Sequence, residues 1–159
     1  MLRTSGLDRQ DLVAAVLQIA QVVEKTMDGT SGALYSIWFN ALAAGLTSST
    51  STSPASAALW AQALEHALRV LYDYTAARRP SRTLIDPLAA FTEAFAASKG
   101  TGLDSAIRAA AEACEETKNL VAQAGRAAYV DRAGLQEAQV PDPGAFGVVT
   151  ILKGIQSSL

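Results

Sequence analysis

Residues 54–74 constrain the fold more than any other stretch of the chain. Leu59, Trp60, Ala63, Leu64, Ala67, Leu68 and Leu71 recur at three- and four-residue steps, and Gln62, Glu65, His66, Arg69 and Asp73 fill the positions between them. A strand alternates its side chains and cannot gather that set on one face, whereas a helix does so directly. The same period runs through Leu12, Val16, Ile19, Ala20 and Val23, through Leu34, Ile37, Trp38, Leu42 and Leu46, and through Val148, Ile151, Leu152 and Ile155. Strand signals are close to absent, so the sequence predicts an all-α antiparallel helical bundle or barrel of about six helices, a single domain over 1–159.

Punctuation sets the expected helix limits. The first helix runs from Asp8 to Lys25 and is stopped by Asp28-Gly29, and the second opens at Thr30-Ser31-Gly32. The Ser/Thr-rich run 47–54 reads as a flexible loop, and Pro54 suits the first turn of the third helix. After a loop carrying Arg78, Arg79 and Arg82, the fourth helix covers Thr83 to Ser98. The fifth is capped by Asp104 and extends to Ala124 before Gly125; the sixth opens at Asp142-Pro143-Gly144.

Several function classes drop out on charge and length. A net charge of -2 offers no footprint for nucleic acid or an anionic membrane surface. Met1 to Gln10 carries Arg3, Asp8 and Arg9 and is no signal peptide, and no apolar run approaches the roughly 20 residues of a membrane span. Cys114 is the single cysteine, so no intrachain disulfide forms and a cytoplasmic location is expected. The acids Asp8 and Asp11 read as a solvated first turn, and no metal site is expected.

Chemistry concentrates at the segment junctions. Asp28-Gly29-Thr30-Ser31-Gly32 brings small residues to a helix start, where free N–H groups and the dipole favour phosphate or carboxylate; the same residues serve equally well as a plain cap. Asp142-Pro143-Gly144 is a second such start. Arg82-Thr83-Leu84-Ile85-Asp86 and Gly125-Arg126-Ala127-Ala128-Tyr129 add two guanidinium groups and a further carboxylate, and junction residues converge at one end of a bundle. Against a ligand role, Asp86 also suits a first-turn acid and Arg126 a cation at a helix C-terminus.

Met27-Asp-Gly-Thr-Ser-Gly-Ala-Leu-Tyr35, Arg82-Thr-Leu-Ile-Asp86, Gly125-Arg-Ala-Ala-Tyr129 and Pro141-Asp-Pro-Gly-Ala145, in that order and spacing, resemble the nucleotide-binding (L) domain of dihydroxyacetone kinases, in particular the fungal single-chain type. The resemblance runs from about Leu12 to Leu152. It implies an antiparallel eight-helix barrel with ADP or ATP at one end, Thr30 and Ser31 at the phosphates, Leu84 against the adenine, and Arg126 with Asp142 to Gly144 around the nucleotide. It also implies two earlier helices and an aspartate-rich loop holding two magnesium ions. This chain starts after that loop, so an incomplete barrel is expected, its open wall closed by a second copy in a homodimer or, in the alternative, repacked as a monomeric six-helix bundle. Pro80-Ser81 and Tyr74 to Arg79 replace the family's Gly-Asp and its glycine-containing adenine-side loop.

These residues lead to three readings. In the first, the chain is a metal-free descendant of the L domain, not a competent kinase by itself. Its former nucleotide end takes a small molecule, without a cofactor, for acid/base chemistry of an isomerase, cyclase or lyase type. Asp28, Asp86 or Asp142 then gives or takes the proton, with Arg82, Arg126 and Tyr129 stabilising negative charge. Gly29, Thr30, Ser31, Gly32, Thr83, Leu84, Pro143 and Gly144 form the ligand- or nucleotide-binding set. In the second, the chain is the ATP- or ADP-binding part of a dihydroxyacetone kinase system that needs magnesium and another chain. In the third, it is a non-catalytic assembly module.

Overall fold

The computed structural model describes residues 11–47, 56–124, 126–129 and 138–159. The expectations for Met1 to Gln10, for the Ser/Thr run beyond Thr47, for Pro54 and for Gly125 lie outside the described residues. Among those described there are six α-helices and no strands: α1 (Leu12–Thr26), α2 (Gly29–Thr47), α3 (Ala57–Tyr74), α4 (Ile85–Ala97), α5 (Leu103–Glu116) and α6 (Pro143–Gln156). Two 3-10 turns, Thr117–Asn119 and Arg126–Tyr129, lie between α5 and α6. None of the described helices is long and apolar enough to cross a membrane.

The chain divides into two compact units, Met1–Leu71 and Tyr72–Leu159. In the first, α1 packs on α2. Asp11 starts α1 as its N-cap, accepting from the Ala14 N–H at 3.0 Å, and Val16 and Ala20 form its buried stripe. Helix α2 is apolar nearly all round and buries Tyr35, Trp38, Ala41, Leu42, Ala43 and Leu46, as a central helix must. Gly45 lets α3 approach closely, since a Cβ there would lie 2.8 Å from Ala63 Cα. The stripe on α3 is buried at Ala61, Ala63, Leu64, Ala67, Leu68 and Leu71.

In the second unit α4 pairs with α5, and α6 packs on both. Small residues on α5, Ala106, Ala110 and Ala113 beside Ile107 and Cys114, make its buried face. Phe91 and Phe95 stack one turn apart on α4, with ring centroids 5.6 Å apart. Helix α6 buries Ala145, Val148, Val149 and Leu152 while Phe146, Ile151 and Ile155 stay 61%, 48% and 50% exposed.

The fifth helix departs from expectation. It ends at Glu116, short of Ala124, and its N-cap is Gly102 with Asp104 inside the first turn. The Thr117 hydroxyl bonds back to the Cys114 carbonyl, and further on the Gln123 N–H donates to Ser81 O at 3.2 Å. Helix propensity over this alanine-rich stretch is overridden by tertiary bonds. The three arginines after α3 also separate in role. Arg78 closes the C-terminus of α3 by donating to Tyr72 O and Thr75 O, its guanidinium 4.1 Å from the Tyr72 ring centroid. Arg79 makes loose surface pairs with Glu93 and Glu116 at 3.7 and 3.8 Å. Arg82 is buried.

Candidate functional site

The residues singled out in the sequence fall in both units. In the first unit, α2 begins at Gly29, whose φ of 74° belongs to the left-handed region that glycine adopts without strain. Asp28, Gly29 and Thr30 are exposed and Ser31 half-buried. Gly32 is buried, and a Cβ at that position would lie 2.1 Å from Met27 O, so the turn closes only over glycine. No acidic residue occupies the first turn of α2, and among the described residues no side chain accepts from its leading N–H groups. Tyr35, one turn further in, has its hydroxyl pushed up to about 12 by burial and stays a neutral phenol at ordinary pH.

In the second unit the junction between α4, α5 and α6 is closely bonded. Asp86, in the first turn of α4, is 1% exposed. One carboxylate oxygen accepts from the Ser81 N–H at 2.8 Å and the other from the Thr83 N–H at 2.7 Å and the Ser81 hydroxyl at 3.2 Å. The Ser81 and Thr83 hydroxyls meet at 2.8 Å. The sequence expectation of a first-turn acid at Asp86 therefore matches the position, with the carboxylate folded back over the turn that precedes the helix.

Arg82, at the crest of that turn, has φ of 57° and is 2% exposed. Its guanidinium donates to the backbone carbonyl of Thr117 and, at 3.1 Å, to that of Val140. Its Nε has no partner among the described residues. Asp142 is the N-cap of α6, accepting from Ala145 N–H at 2.9 Å with Pro143 next in line. Burial pushes its carboxyl above the ordinary carboxylate range; the N–H groups of Ala145 and Gly144 and the charge of Arg82 pull it back, while Asp86 pushes it up further. Gly144 sits against Leu84, and a Cβ there would lie 3.4 Å from Leu84 Cβ and 3.6 Å from Leu84 N.

Arg82, Thr83, Leu84, Asp86, Asp142 and Gly144 are thus brought together around two abutting helix starts, with Pro143 exposed beside them. Tyr129 stands apart from any such enclosure at 93% exposure, and the side chain of Arg126 lies outside the description. Thr117, which joins Arg82 to Asp142, has no place among the sequence candidates. A threonine within an alanine-rich helical run carries no signal that would separate it from its neighbours. Abutting N-termini concentrate positive potential, and the two carboxylates neutralise it from within.

The family model of the DAK2 domain matches residues 2–157. Dihydroxyacetone kinase of Pichia angusta is 42% identical over 161 residues, covering 97% of this chain and 26% of that protein. Dihydroxyacetone kinase 1 of Saccharomyces cerevisiae is 41% identical over 96% of the chain and 26% of its own length. Human triokinase/FMN cyclase is 35% identical over 87% of the chain and 24% of its own length. The chain spans about a quarter of the length of these curated relatives. With the motifs at Met27–Tyr35, Arg82–Asp86 and Pro141–Ala145 set at helix openings, the chain belongs to the DAK2 domain family, the L domain of dihydroxyacetone kinases.

Proposed function

We propose that this chain is the nucleotide-binding part of a dihydroxyacetone-kinase-type phosphoryl-transfer system, acting over 1–159 as one functional domain. The observation that carries the reading is the open start of α2. Helices α1 and α6 are capped by their own aspartates, Asp11 and Asp142. Helix α2 instead presents Gly29, Thr30 and Ser31 behind the exposed Asp28, with no acid in its first turn and no side-chain bond to its leading N–H groups among the described residues. Such an end supplies main-chain donors and a positive dipole to a phosphate group. The names of the fungal relatives support a kinase context.

Phosphoryl transfer in such a system draws on magnesium to neutralise the phosphates. Among the described residues no three His, Cys, Asp or Glu side chains come together as metal ligands, and Asp86 and Asp142 give their oxygens to backbone N–H groups. The residues described do not fit a divalent-ion cradle. The reading therefore has this chain hold the nucleotide, with the metal carboxylates and the triose site supplied from outside the described residues.

A second reading keeps the start of α2 and changes the chemistry: a small molecule bound there undergoes cyclisation or a related acid/base step. The relative named triokinase/FMN cyclase favours it. The engagement of Asp86 and Asp142 by backbone donors weighs against those two as proton carriers and leaves exposed Asp28 as the available acid. The homodimer expected from the sequence is likewise a proposal, resting on the exposed Ile151 and Ile155.

Calorimetric titration with ADP tests the first reading. Wild type binds ADP, and Thr30→Glu, which places a carboxylate where phosphate would sit, weakens binding at least about tenfold while leaving helix content intact. Equal ADP affinity in wild type and Thr30→Glu overturns the assignment of α2, and no ADP binding by wild type overturns the nucleotide reading.

A further inference from the structure

Tyr35 is the first long polar side chain on α2 after its open start. The residue is 9% exposed, and its hydroxyl makes no hydrogen bond among the described residues. Burial pushes that hydroxyl up to about 12, so at ordinary pH it keeps its proton and remains a neutral donor. Hydroxyls at comparable depth are matched: those of Thr47 and Thr92 donate to the carbonyls of Ala43 and Leu88, four residues earlier on their own helices. A phenol holds its oxygen too far from its own backbone to do the same. A buried donor left without an acceptor carries a desolvation penalty, and few such groups persist in folded proteins without a reason.

Side chains on a helix lean toward its N-terminus and cover the turn before their own Cα. For Tyr35 that turn holds Gly32 and Ser31, three and four residues back, about 6 Å along the axis. Ser31 is small and half-buried and Gly32 has no side chain, so on α2 itself nothing bulky stands between the phenol and the leading N–H groups. We propose that the Tyr35 hydroxyl donates to an oxygen of the phosphate group seated on the opening turn of α2, which makes Tyr35 a phosphate-binding residue of that site. This rests on the nucleotide reading above and extends it from main-chain donors to one side chain. The unmatched hydroxyl is then a donor held ready for the ligand, at a cost to the ligand-free protein.

The test uses wild type and Tyr35→Phe, which keeps the buried ring and removes only the oxygen. ADP titration is expected to show affinity lowered about fivefold to tenfold, the scale of one hydrogen bond. Phosphorus NMR of ADP at saturating protein is expected to show the bound phosphate resonances displaced by the substitution. Thermal unfolding of the ligand-free protein is expected to be no lower in Tyr35→Phe than in wild type, because a donor without an acceptor has been removed. Unchanged affinity, or unchanged phosphate resonances, overturns the proposal and leaves the nucleotide reading standing on ADP binding by wild type and its weakening in Thr30→Glu. A lowered unfolding temperature in ligand-free Tyr35→Phe, or its failure to fold, shows the hydroxyl engaged within the fold and also overturns the proposal. No ADP binding by wild type removes the nucleotide reading, and this inference with it.

Discussion

The guanidinium of Arg82 donates to the main-chain carbonyl of Thr117, 35 residues further along the chain, and both residues are almost wholly removed from solvent. A cation chosen from sequence for its charge is thereby a brace between the α4 approach and the end of α5. Arg82→Met keeps much of the length and none of the donors, leaving the Thr117 and Val140 carbonyls unmatched. Urea unfolding is expected to report a loss of about 3 kcal/mol, in the range for breaking a buried polar network.

Asp86 offers a graded version of the same experiment. Its carboxylate serves two backbone N–H groups and a hydroxyl at once. Asp86→Ala strands those donors and is expected to cost about 3 kcal/mol, whereas Asp86→Asn keeps one acceptor oxygen and loses about half as much. Equal costs for the two, measured by denaturant unfolding, would contradict the bonding described.

The pH dependence of stability carries a signature of Asp142. Burial raises its carboxyl above the ordinary 3.8 despite the opposing pull of Ala145, Gly144 and Arg82. The folded state then holds that proton more tightly than the unfolded chain. The associated stability is fully present below 3.8 and is lost as pH rises from there through the higher folded value. Asp142→Asn keeps a capping oxygen and cannot ionise, so its stability relative to wild type improves as pH is raised from about 3.5 to about 7. Asp142→Ala loses the cap and is expected to be less stable than wild type by about 1 kcal/mol at the acid end of that range, a deficit that narrows as pH rises.

The exposed face of α6 gives a prediction about assembly. Ile151 and Ile155 lie one turn apart on α6 and stay 48% and 50% exposed, beside the buried Val148 and Leu152. If a second copy covers this face, wild type sediments as a dimer and Ile151→Glu as a monomer with unchanged helicity. A monomeric wild type removes the dimer.

Helix-forming segments were legible because they depend on period and local chemistry. Asp142-Pro143-Gly144 announces a helix start by its residue types, and α6 opens there. The stripe on α3 is buried along most of its length. The end of α5 was not legible, because Thr117 and Gln123 leave the helical path for partners distant in sequence. Composition around them still favours helix. In the candidate site, sequence identified Arg82, Asp86 and Asp142 as residues at junctions, and the structure places them at one. Their bonding was hidden, since whether a charged side chain faces solvent or braces a turn is decided by the backbone that folds over it. Thr117 stayed invisible for the same reason.

The open start of α2 has a consequence for how mutational scans of this domain should be read. Its donors are peptide groups, identical whatever side chain follows them, so replacing Thr30 or Ser31 by alanine will pass almost silently through a library screen. If that start holds phosphate, substitutions there that add negative charge or distort the turn at Gly29 and Gly32 are the ones expected to register. A phosphate site made of main chain, as proposed for α2, would tolerate drift in residue identity while demanding constancy of shape.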